Sequence, residues 1–139
     1  MSFSIELERR AIQGDLEAQA ELAACYSHGD GVVADYKKSY MWNRKAASGG
    51  NPRAMFNLGK CYWCGEGVEA DPYEAVRWFK KSAEVGYPQA QYNLGVCYLT
   101  GNGTSENPLE ARKWFLLAAK QGYLKAHKYL SHDDLNSIV

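Results

Sequence analysis

The sequence predicts an all-α fold: a stacked solenoid of about three helix-turn-helix repeats, closed by half-repeats at both ends. Three observations predict it. Ala18, Ala54, Ala90 and Ala126 open the same pattern at a constant spacing of 36 residues, and a fixed period of that length marks repeats that bury their faces on one another. Inside each copy Ala, Leu and Tyr recur at i, i+4 and i+8 (Ala18, Leu22, Tyr26; Ala54, Leu58, Tyr62; Ala90, Leu94, Tyr98), which is a helical stripe and not strand alternation. Each stripe runs into a Gly-x-Gly turn, Gly29-Asp30-Gly31, Gly65-Glu66-Gly67 and Gly101-Asn102-Gly103, where the chain needs positive φ to start a second helix.

The elements follow in order. Residues 1–14 form an N-terminal capping helix. Ala11 is in phase with Ala47, Ala83 and Ala119, so this is the second helix of a truncated copy. Phe3, Ile5, Leu7, Ala11 and Ile12 give its apolar or small positions, and Glu6, Glu8, Arg9 and Arg10 its charged outer face. Gly14 ends it, in phase with Gly50, Gly86 and Gly122, as left-handed C-terminal caps do. Three repeats follow at 15–50, 51–86 and 87–122. Asp15 or Asn51 caps the first helix of a repeat, and Pro52 and Pro88 suit its first turn. Gly59 and Gly95 sit inside it, where glycine costs about 1 kcal/mol against alanine; a close neighbouring helix explains them.

The second helix opens with Asp71-Pro72-Tyr73-Glu74, then Asn107-Pro108-Leu109-Glu110, both capping-box-like; Asp35-Tyr36-Lys37-Lys38 keeps only the cap. Its buried stripe is Ala75, Trp78, Phe79, Ser82, Ala83, matched by Ala111, Trp114, Phe115, Ala118, Ala119. The first copy reads Ser39, Trp42, Asn43, Ala46, Ala47, with Asn43 in place of an aromatic. Residues 123–130 form a C-terminal capping helix and 131–139 a frayed tail. The end Ser137-Ile138-Val139 matches a ligand for carboxylate-capturing domains only as short tails often do by chance.

Composition narrows the function. Of 139 residues 46% are hydrophobic and 23% charged, with a formal net charge of +0. Basic and acidic side chains number 8 and 9 up to Ala70, and 8 and 7 beyond it. No half is a basic footprint, which argues against nucleic acid. No apolar run reaches the roughly 20 residues that span a bilayer, so no membrane insertion is expected. The N-terminus has no basic segment followed by an apolar core; the expected compartment is the cytoplasm, or the periplasm or exterior if a leader has been removed. Cys25, Cys61 and Cys97 share one repeat phase, which suggests packing chemistry and not a disulfide framework.

The residues A-x-x-x-L-G-x-x-Y-x-x-G-x-G-V, followed by an Asp-capped helix with a Trp-Phe pair, Ala-Ala and a closing Gly, resemble the Sel-one-like repeat, a relative in shape of the tetratricopeptide repeat. The likeness runs from about Ala11 to Leu130, with departures at Ala23, Thr104 and Asn43. It implies a right-handed α/α superhelix without intrinsic catalysis, without cofactors, acting as an adaptor or scaffold, often in bacterial signalling, envelope or host-interaction pathways. One cysteine-rich branch pairs two cysteines in every repeat and is reported to bind β-lactams. That pairing is absent from this sequence, and the chemistry is not carried over.

For the site, the first helices are expected to line a concave groove that takes a peptide or partner helix. Arg53, Phe56, Asn57, Lys60, Trp63, Gln89, Tyr92, Asn93 and Val96 are the expected groove residues. Asn57 and Asn93 would hold a peptide backbone, Arg53 and Lys60 meet carboxylates, and Phe56, Trp63 and Tyr92 serve as anchors. Phe56 and Tyr92 could equally pack between repeats. Trp63, whose equivalents are Ser27 and Leu99, is expected at the surface. Cys61-Tyr62-Trp63-Cys64 is a CxxC motif, but it falls at a helix C-terminus, where the dipole disfavours a thiolate. A metal site there would need more ligands; His28, in phase with Cys64, is the one candidate. The three histidines form no catalytic arrangement with Ser, Cys or Asp. The alternatives to partner binding are a small-molecule, metal or redox site on Cys61 and Cys64, or self-association, for instance as a homodimer.

Overall fold

The computed structural model describes residues 2–138, all-helical apart from turns. The chain divides between Asp71 and Pro72 into two compact units. In the first, α1 (Ile5–Ile12), α2 (Leu16–His28), α3 (Tyr36–Ser48) and α4 (Pro52–Cys64) pack in sequence order, each on the next. In the second, α5 (Pro72–Glu84), α6 (Pro88–Thr100) and α7 (Pro108–Lys120) are followed by a 3-10 helix (Leu124–Tyr129) and the short α8 (His132–Asn136).

Caps set the helix starts of the first unit. Ser4 accepts from Leu7 N–H, Asp15 from Ala18 N–H, and Asp35 from Lys38 N–H, each about one ordinary hydrogen bond long. Asn51 does two jobs from a buried position. Its Oδ1 accepts from Ala54 N–H at 2.9 Å, and its Nδ2 donates to Glu17 Oε1 at 2.7 Å, tying α4 to α2. The core of this unit is Leu7, Ala11, Ala18, Leu22 and Cys25, with Phe3, Tyr26, Val32 and Trp42 packed around it. Ile5 and Ile12, named among the apolar positions of α1, are exposed. Leu7 and Ala11 are one helical turn apart and define the inward stripe; Ile5 and Ile12 fall off it. Phe3 precedes the helix and reaches Tyr26, ring centroids 6.5 Å apart.

The second unit closes on Ala111, Phe115, Ala118, Ala119 and Ala126. Gly95 shows why a glycine is needed inside α6. A Cβ there would lie 2.7 Å from the Phe115 ring, so the aromatic of α7 rests directly on the α6 backbone. Both units repeat one tie between neighbouring helices: Gln19 Nε2 donates to Ala11 carbonyl at 3.0 Å, and Gln91 Nε2 to Ala83 carbonyl at 3.2 Å.

The C-terminus differs from expectation. Residues 124–129 wind as a 3-10 helix rather than an α-helix, carrying buried Ala126. The segment expected to fray is ordered up to Ile138. Ser131 and Asp134 form a reciprocal capping box that opens α8, Arg112 clamps the buried Asp134 carboxylate, and Ile138 packs on the core. The Ser131-x-x-Asp134 pattern is a legible helix start. The carboxylate-terminus motif rests on Val139, which lies outside the described residues.

Candidate functional site

Helix α4 turns Ala54, Leu58 and Cys61 into the core. Arg53, Asn57 and Lys60 follow one another at i, i+4 and i+7, a single helical face. They line a recess of about 160 Å³ within the first unit. Its other walls are Ala24, Ser27 and His28 of α2, Ser39 and Asn43 of α3, and Glu66 of the turn after α4. An adjoining hollow of about 290 Å³ shares Ala24, His28 and Arg53 and adds Glu21 and Asp30.

The polar groups of this recess are incompletely satisfied. The Arg53 side chain is half-buried and, among the described residues, makes no hydrogen bond or ion pair; the Asn57 side chain likewise makes no hydrogen bond. Asn43 is 4% exposed, and no protein group donates to its Oδ1. Its side chain lies beside the Cys61 thiol and acts to lower that thiol's pKa. The buried Oε2 of Glu21 in the adjoining hollow also lacks a donor. Lys60 lies with Nζ 5.4 Å from the centre of the Phe56 ring. His28 Nδ1 donates to the Ala24 carbonyl at 2.9 Å, which fixes its ring against its own helix.

Trp63 is 39% exposed near the end of α4, as its repeat phase suggested. Phe56 is half-buried. On α6 the four expected residues divide. Gln89 and Asn93 are half-buried, and Asn93 makes no hydrogen bond. Tyr92 does not stand free as an anchor. Its ring lies 5.9 Å from Phe115, 5.3 Å from Tyr123 and 6.1 Å from Tyr129, and Val96 packs on the same cluster. For Tyr92 the packing alternative describes the structure, because aromatic area is worth more against three rings than in water.

The CxxC pair is split by burial. Cys61 is buried and its thiol is pushed up to about 11, mostly by desolvation and then by the Glu66 carboxylate. Cys97, at the same phase in the second unit, is also raised to about 11 by burial. Such thiols are protonated at neutral pH and make poor nucleophiles. Cys64 is exposed, and none of the four cysteines is in a disulfide. His28 shares the recess with Cys61 and not with Cys64. Among the described residues no three His, Cys, Asp or Glu side chains are grouped to hold a metal.

The Sel1 repeat family model matches residues 16–51, 52–87 and 88–123. The chain belongs to the Sel1 repeat family. The matched frame runs one residue later than the one set from Asp15. Among solved structures, the Sel1 repeat protein from Oxalobacter formigenes is 40% identical with a TM-score of 0.81, covering 89% of this chain and 93% of that one. Protein c5321, a protective antigen of uropathogenic Escherichia coli displaying an SLR fold, is 38% identical with a TM-score of 0.84 over 86% of this chain. The match takes in 26% of the antigen's length. Helicobacter pylori cysteine rich protein B, at 22% identity, a TM-score of 0.73 and coverage of 90% of this chain and 95% of that one, shares the fold. Comparison with curated proteins finds no match.

This Sel1 repeat protein is therefore a helical-repeat solenoid of a family whose members are generally protein-interaction scaffolds and typically not enzymes. No helix among its described residues is long and apolar enough to cross a membrane. Sequence reasoning found the α4 side of the recess and missed the α2 and α3 side. Asn43 was the available signal, because it breaks the aromatic phase of its repeat.

Proposed function

We propose that this Sel1 repeat chain is a non-catalytic adaptor or scaffold that docks a segment of a partner protein, a peptide or a helix, on the α4 face of its first unit. The observation that carries the reading is the set of open polar groups on that face. The Arg53 and Asn57 side chains are half-buried with no protein partner, and the partly exposed Trp63 lies near the C-terminal end of the same helix. Desolvated but unpaired groups are what a polypeptide ligand can complete through its backbone and side chains. Asn57 takes the role of backbone clamp, Arg53 and Lys60 meet acidic groups, and Phe56 and Trp63 supply apolar contact. In the second unit Gln89 and Asn93 form a separate row of open groups for a partner. The balanced charge supports a protein partner over nucleic acid, and four cysteines outside any disulfide suit a reducing compartment such as the cytoplasm.

The test compares wild type, the Arg53→Ala/Asn57→Ala double variant and a Lys113→Ala surface control in affinity capture from native lysate under reducing conditions. A partner held by wild type and control and lost from the double variant, with helicity unchanged, is the expected result. Equal recovery by all three would remove α4 as the docking face.

A further inference from the structure

At three repeat phases the two units carry different chemistry. Ala24, Asn43 and Asn57 of the first unit stand two periods before Val96, Phe115 and Tyr129 of the second. In the second unit those three residues fill their site: Phe115 stacks on Tyr129 with centroids 4.4 Å apart and planes 10° from parallel, and Val96 packs on the same cluster. In the first unit the same phases line an open recess of about 160 Å³. The space is accounted for by small and polar residues standing where the second unit has Val96, Phe115 and Tyr129.

The recess also has an ordered polarity. Arg53 lies in the first turn of α4, Lys60 about 10 Å further along at 1.5 Å per residue, and Glu66 beyond the C-terminus, close enough to Cys61 to raise its pKa. Asn43 is nine-tenths buried beside Cys61, with an Oδ1 that receives no donor. One end offers unpaired positive charge, and the other needs an N–H. A fully ionised phosphoryl group satisfies the first and opposes the second, because its oxygens only accept. A carboxylate carried next to an N–H donor satisfies both.

We propose that this recess is a specificity pocket for one acidic residue of the docked segment, its carboxylate on Arg53 and its backbone N–H on Asn43 Oδ1. The inference rests on the docking reading above and names what that face selects. Asn57, with both amide groups open, pairs with the backbone on the other side of the same residue. Glu66 repels a carboxylate and so sets the direction of entry, with the acid toward Arg53. A free amino acid carries the same two groups and is the other source of this chemistry.

The experiment is an NMR titration of the ¹⁵N-labelled full chain with three probes: N-acetyl-glutamate N-methylamide, the glutamine analogue, and free glutamate. Each is taken to about 10 mM, enough to register a dissociation constant of about 1 mM. The expected result is movement of the Asn43 side-chain amide and the Arg53 Nε signal with the capped glutamate, and binding of the glutamine analogue weaker by about tenfold or more, as loss of a charge-assisted bond requires. Arg53→Gln should abolish the difference while leaving the spectrum folded. Equal shifts from both capped probes would overturn the pocket and leave the docking face standing. Shifts from free glutamate alone would make the ligand a free amino acid and overturn the peptide assignment. No movement with any probe would mean that the recess holds only water; the inference falls, and the docking reading is then judged by the capture experiment.

Discussion

The first and second units use one repeat frame to opposite ends. Around Phe115, whose ring rests on the Gly95 backbone, the second unit is filled ring on ring with Tyr92, Tyr123 and Tyr129. Around Asn43 the first unit is hollow, polar and missing a donor. The helices, caps and glutamine ties are shared, so the frame does not depend on what fills this position. The repeat separates the residues that hold the stack, which are alanine, leucine and glycine, from a few phases free to carry either core or site. A buried unpaired acceptor costs about 1–3 kcal/mol, and a unit that tolerates one spends stability where recognition can recover it.

The largest way to test this contrast is to empty the filled unit. Phe115→Ala removes the ring that stacks on Tyr129 and rests on Gly95, and should cost about 3–5 kcal/mol, read as a fall in the urea midpoint. A loss near zero would mean that the tyrosine cluster closes the space unaided. The converse is to fill the empty unit. Asn43→Leu removes the orphan Oδ1 and occupies the recess, and should raise stability by about 1 kcal/mol with the denaturant slope unchanged, while abolishing the probe response of the recess. A lower midpoint would show that Asn43 is already satisfied, by bound water or through Cys61, and the two units would then differ in shape but not in strain.

The fold was legible because it is written redundantly. Ala18, Ala54, Ala90 and Ala126 set the period, and Asp15, Asn51 and Asn107 all cap as their positions imply. The site was legible only in part. Arg53, Asn57 and Lys60 could be placed on one face by helical spacing alone. Their surroundings could not, since the recess joins α2, α3 and α4 and depends on what Asn43 fails to fill. Tyr92 stayed open between groove and packing for a related reason: a helix position fixes direction, but whether three rings converge on it depends on α7 and on the 3-10 helix after it. The tail was misread although its Ser131-x-x-Asp134 box was in plain sight. What a five-residue helix lacks in length it gains from Arg112 and from the burial of Ile138, and neither partner is local.

That tail supplies the smallest and sharpest contrast. The first unit begins on an apolar contact of Phe3 with Tyr26; the second ends on an ionic one. The Arg112 guanidinium, and then the Ser131 amide, hold the Asp134 carboxyl down at about 2, below its usual 3.8. A carboxyl depressed in the folded state stabilises fully above its unfolded value and loses that contribution as pH falls through its folded one. α8 should therefore keep its amide protection down to pH 4 and lose it between about 4 and 2, before the core around Phe115 opens. Asp15 in the first unit is also lowered, first by the Ala18 amide, so acid alone does not isolate the clasp; Arg112→Gln does. At neutral pH that variant should exchange its α8 amides as wild type does in acid, with little change in global stability, because the arginine is more than half exposed and its charge is screened. If α8 stays protected in Arg112→Gln and at pH 2 alike, the packing of Ile138 and Leu130 closes this end, and both ends of the chain would then be held by apolar contact.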